Sequence, residues 1–103
     1  MPPATRILLD LNAPGFQAQL FGLDAAEVTL VFAAFKKLAT LDWGTLHKHK
    51  WFHWEDAGHA ERAPNGSTIK SIRITQKVRA LAYREGDWMR FLTLHFDHDG
   101  AYG

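Results

Sequence analysis

Arg73, Arg79, His98 and Tyr102 are the residues of this chain whose types suit one reaction together. A guanidinium presents a planar fork of donors that matches phosphate oxygens. A histidine beside it can pass protons near neutral pH, and a tyrosine near the C-terminus can stack on a base. The set fits cleavage of an RNA phosphodiester by its own 2′-hydroxyl. Charge distribution agrees. From Arg62 to Arg90 there are seven basic residues against two acidic ones, a net +5 in a chain of +1, so the remainder carries −4. A basic segment of this kind suits a polyanion, although exposed strands that alternate charge with apolar residues give the same count.

Other chemistries find less material. Four of the six histidines, His47, His49, His53 and His59, crowd near Glu55, Asp56 and Glu61. Their spacing matches no zinc motif, and there is no cysteine to complete a tetrahedron; no metal is expected. Ser67 and Ser71 are the only serines, and neither sits in a nucleophile elbow. Gly-rich phosphate loops are absent, so no cofactor is expected.

The elements that must position the four residues can be read from periodicity. The 103 residues, 47% of them hydrophobic and 13% aromatic, suffice for one domain, 1–103, with its own core. The run 6–11 reads as a strand. Asn12 and Pro14 suit a helix start, with Phe16, Leu20 and Leu23 on one face and Gly22 as its end. Asp24 and Glu27 have capping-box spacing. Val28, Val31, Phe32, Phe35, Leu38 and Ala39 then form an apolar stripe, predicting a helix over 25–41. Residues 42–50 read as a helical turn or an irregular arm, and 51–55 as a strand with its aromatics out of water. Asp56 to Ser67 is a loop with an Asn65-Gly66 turn. From Thr68 the period becomes two, and hairpins near 75–77 and 85–87 give an antiparallel meander. The fold class is therefore α+β, with an N-terminal strand and two helices on one face of a curved antiparallel sheet of about four strands. The absence of cysteines, of a long apolar run and of a signal-peptide pattern leads us to expect a cytoplasmic protein.

On these residues a family resemblance rests. Ser71-Ile72-Arg73-Ile74, followed by Val78-Arg79-Ala80-Leu81-Ala82-Tyr83, resembles the arginine-bearing strands of RelE-type toxins of bacterial type II toxin–antitoxin systems, in the RelE/ParE superfamily. The ending Leu94-His95-Phe96-Asp97-His98-Asp99-Gly100-Ala101-Tyr102 resembles that family's closing signature, whose YafQ branch uses His four residues before an aromatic. The resemblance implies a ribosome-dependent endoribonuclease, an mRNA interferase that cuts messenger RNA in the A site and is neutralised by an antitoxin. By that likeness Arg79 contacts the scissile phosphate, Arg73 supports it, His98 transfers a proton, and Tyr102 stacks on the nucleotide. Lys77, Arg84, Lys48 and Lys50 would hold backbone phosphates. His95 and Asp97 are the nearby candidates for the base. The departure is charge: the family is strongly basic, whereas this chain has a pI of about 8.1, so weaker attraction to ribosomal RNA is expected. Two rivals share the fold: a ParE-like gyrase poison, and a non-catalytic RNA- or protein-binding module.

Overall fold

In the computed structural model, which describes residues 6–58 and 61–96, local caps and apolar spacing set eight elements in chain order. They are β1 (Leu8–Asp10), α1 (Pro14–Phe21), α2 (Ala25–Leu38), α3 (Trp43–Lys48), β2 (Glu55–Asp56), β3 (Lys70–Arg73), β4 (Val78–Glu85) and β5 (Trp88–Phe96). Asp24 caps α2 as its spacing implies, accepting from the Glu27 N–H at 2.8 Å. Asp42 caps α3 in the same way from the Thr45 N–H at 2.7 Å. The expected cap at Asn12 is corrected. Ala13 occupies that position without a side-chain bond, and the Asn12 N–H donates to Asp10 instead. Helix α2 also stops three residues early, because the chain turns so that the Leu41 carbonyl can accept from the Ile7 N–H at 3.0 Å.

The sheet corrects the expected topology. Its strand order is β1-β5-β4-β3-β2, five strands rather than about four, and it is mixed rather than antiparallel. β1 runs parallel to β5, with Leu8, Leu9 and Asp10 opposite Trp88, Met89 and Arg90. Most of the chain separates these two strands, the kind of long connection a parallel pair requires. The strand expected over 51–55 is reduced to β2. His53 takes a positive φ of 49°, which breaks extended pairing there and lets Phe52 and Trp54 turn inward while Trp51 stays 40% exposed. Both hairpins form, and Gly86 supplies the positive φ of 61° that the β4–β5 turn needs.

One face of the sheet carries the core. Phe16 of α1, Phe35 of α2 and Phe91 of β5 meet there, with Phe16 stacked on Phe91 at 5.1 Å and Phe35 tilted against it at 5.4 Å. Phe32, expected in the same stripe, lies outside it and presents its ring edgewise to Phe35. Trp43 of α3 donates its indole N–H to the Asp87 carbonyl at 3.1 Å, tying α3 to the β4–β5 turn. A smaller cluster of Ala63, Ile69 and Tyr83, with Ala57, Leu81 and Leu92, covers part of the opposite face. Among the described residues, no helix is long and apolar enough to cross a membrane.

Candidate functional site

Strand alternation decides which side chains share the sheet's open face. In β3 and β4, Ile72, Val78, Ala80 and Ala82 are buried in the core, so Arg73, Arg79, Leu81 and Tyr83 point to the other side. Arg73 is the direct partner of Arg79, and Arg79 is in turn the partner of His95. The three side chains thus form one row across β3, β4 and β5. Direct partners sit roughly 5 Å apart, so the row spans about 10 Å between its ends. That is the scale of a phosphodiester and its flanking sugars.

The row owes its third member to an irregularity. The β4–β5 hairpin begins in regular register, Glu85 opposite Trp88, and continues so to Ala82 opposite Phe91; then the register shifts, and Leu81 faces Thr93. Leu92 is the extra residue of a β-bulge. Had the same sequence continued in the first register, with Leu92 paired rather than bulged, Arg79 would face Leu94 and His95 would point into the core. With it, Leu94 is buried and His95 is exposed beside Arg79.

Two neighbours fix the histidine. The Thr93 hydroxyl, on the same face, lies 2.8 Å from His95 Nε2. One residue back, Gln19 of α1 clamps the Leu94 peptide, its Nε2 donating to the carbonyl at 2.9 Å and its Oε1 accepting from the N–H at 2.8 Å. β1 ends its pairing at Arg90, so Gln19 satisfies the edge of β5 where the neighbouring strand has run out.

Arg73 is held from the other side. Its backbone N–H donates to the Phe52 carbonyl at 2.7 Å, and its guanidinium lies 5.5 Å from the centre of the exposed Trp51 ring, within cation–π range. The facing arginines set two guanidinium forks side by side on the open face, a spacing at which both can reach one anion.

The open face has a second, electrically different end. Arg90 bonds both Asp10 and Glu85, and these partners, Asp10 foremost, raise its pKa further above its ordinary value. That triad carries a net negative charge, so the positive end of the face is the Arg73–Arg79 end.

The remaining sequence candidates divide by position. Lys77 is exposed in the β3–β4 turn, where the Thr75 hydroxyl accepts from the Lys77 and Val78 N–H groups. Arg84 faces the opposite side of the sheet, its guanidinium 4.4 Å from the centre of the Trp43 ring, so it does not join the row. Lys48 ends α3 and Lys50 follows it, on neither β3, β4 nor β5. Asp97, His98 and Tyr102 lie outside the described residues, as does His59. Among the described residues no three His, Asp or Glu side chains gather to hold a metal ion. Sequence reasoning missed Thr93, Gln19 and Trp51. No sequence signal pointed to them: the first two depend on where α1 and the β5 register fall, and Trp51 on the backbone turn at His53.

No family profile and no curated protein matches this chain. Among solved structures, the chain is similar to a copper-bound mutant toxin from Helicobacter pylori. The two share 20% identity at a TM-score of 0.42, over 91% of this chain and 97% of that one.

Proposed function

We propose that this protein is the toxin of a bacterial type II toxin–antitoxin system, a RelE-like endoribonuclease that cuts messenger RNA on the ribosome without a metal. The observation that carries the reading is the row Arg73–Arg79–His95, two fork-shaped cations and an imidazole on one exposed face. Such a row suits a phosphodiester lying across the strands. The arginines stabilise the charge that builds on the phosphoryl oxygens as the adjacent 2′-hydroxyl attacks phosphorus. His95, with Nε2 beside Thr93, has Nδ1 to accept the hydroxyl proton. The 5′-oxygen leaves and takes up a proton, in our reading from His98. The P–O5′ bond breaks as the new P–O2′ bond forms, giving a 2′,3′-cyclic phosphate and a free 5′-hydroxyl.

An antitoxin is the partner this reading requires, presenting an acidic or amphipathic segment to the basic face. The test is to mix the purified chain with programmed 70S ribosomes and map messenger ends by primer extension. New ends within the A-site codon are expected, and they should vanish with Arg79→Ala. Intact messenger with the wild-type chain would refute the reading, and double-strand DNA breaks on induction would favour a gyrase poison instead.

A further inference from the structure

Trp51 belongs to two places at once. It stands against Arg73 at the end of the row, and it lines a groove of about 790 Å³ between α2 and the β3–β4 turn. The ring is 40% exposed but not loose, since Phe52 meets it at right angles with centroids 5.2 Å apart. The groove continues from it over Leu30, Ile74 and Val78, with Lys37 and Lys77 as its cations. Lys77 sits in the hairpin turn two residues before Arg79, at the same end of the sheet as the row. Its acids, Asp24 and Glu27, belong to the opposite end of α2 from Lys37, about 15 Å away along the helix, and Asp24 is engaged as the helix cap. An anchored aromatic face, an apolar trough and cations leading to a phosphate site are the parts from which single-stranded nucleic-acid sites are made.

We propose that Trp51 and this groove bind the nucleobase next to the phosphate held by Arg73 and Arg79, as a stacking platform that accepts any base. The proposal rests on the reading of the row as an RNA site. Stacking depends on the π-face and not on a hydrogen-bond code, so this subsite sets affinity and placement rather than base identity.

The test uses the full chain and a fluorescein-labelled six-nucleotide oligouridylate made uncuttable by 2′-O-methylation, with an abasic backbone of equal length as control. Fluorescence anisotropy gives the affinities, and protein emission reports stacking directly. Trp51→Ala should weaken the oligouridylate about tenfold or more, and Trp51→Phe should recover most of that loss. Both variants should bind the abasic backbone as the wild type does. Quenching of tryptophan emission by the oligouridylate should disappear in Trp51→Phe, a readout that survives if Trp51→Ala fails to fold. Equal losses for both oligonucleotides would overturn the proposal, and so would unchanged affinity and quenching, which would leave the groove to an apolar protein segment. The underlying reading fails separately: Arg79→Ala would then bind both oligonucleotides as tightly as the wild type, or the wild type would bind neither.

Discussion

At the scale of single residues, the candidate site depends on side chains whose value lies in what they face. Arg79 has Arg73 on one side and His95 on the other, so an anion bound there meets two guanidiniums and an imidazole. Sulfate should therefore raise the melting temperature of the wild-type chain by mass action on the folded state, beyond the rise produced by chloride at equal ionic strength. Arg79→Ala should remove that excess; an equal rise in both proteins would mean that no anion site lies there. Thr93 acts through His95. Thr93→Val keeps the branched shape but removes the hydroxyl at Nε2, and we expect kcat to fall about tenfold with KM little changed, against the 10²–10⁴-fold typical of losing the proton-transfer group itself in His95→Ala. A matching rise in KM would assign Thr93 to substrate binding.

At the scale of elements, some of this was legible in sequence and some was not. The capping pattern of Asp24 and Glu27 placed α2, and the period of two from Thr68 with the turn at Glu85-Gly86-Asp87 gave the successive hairpins, which made Arg73 and Arg79 neighbours. Facing was another matter. A single inserted residue, Leu92, reverses the sidedness of everything after it in β5, and nothing in the local alternation of Phe91, Leu92, Thr93 and Leu94 announces which one is extra. The parallel placement of β1 was hidden for a similar reason, since three residues are too few to declare a partner. Deleting Leu92 should remove the bulge and leave a regular ladder in which Leu94 stays opposite Ala80 and His95 opposite Arg79. We expect the row to survive that deletion, whereas deleting Leu94, which keeps the bulge but moves His95 opposite Ala80 on the core face, should cause a large drop in melting temperature and loss of the row. Equal effects of the two deletions would show that the register does not set the face.

At the scale of the whole molecule, the two faces of the sheet have separate tasks. One is filled by aromatics from α1, α2 and β5. Phe91→Ala would open a cavity beside Phe16 and Phe35 at about 3–5 kcal/mol, readable as a shift in denaturant midpoint. The other face is left open where the cations stand and closed by Tyr83 and its neighbours elsewhere. The turn that joins the helical layer to the sheet carries its own pH dependence. The Thr45 N–H, followed by the Thr45 hydroxyl, holds the Asp42 carboxyl below its ordinary value of 3.8. A depressed folded pKa means that this stabilisation is complete above the unfolded value and is lost as pH falls from there through the folded one. The melting-temperature advantage of the wild type over Asp42→Asn should thus shrink as pH drops below about 4. An advantage that is constant from pH 6 to pH 2.5 would contradict that assignment.

The account stands most directly on the chemical nature of the cut. Messenger fragments released from programmed ribosomes by the wild-type chain can be weighed by mass spectrometry. We expect 3′ fragments with a free 5′-hydroxyl and 5′ fragments ending in a 2′,3′-cyclic phosphate, with both lost in Arg79→Ala. Fragments carrying a 5′-phosphate, or cleavage undiminished without Arg79, would contradict it.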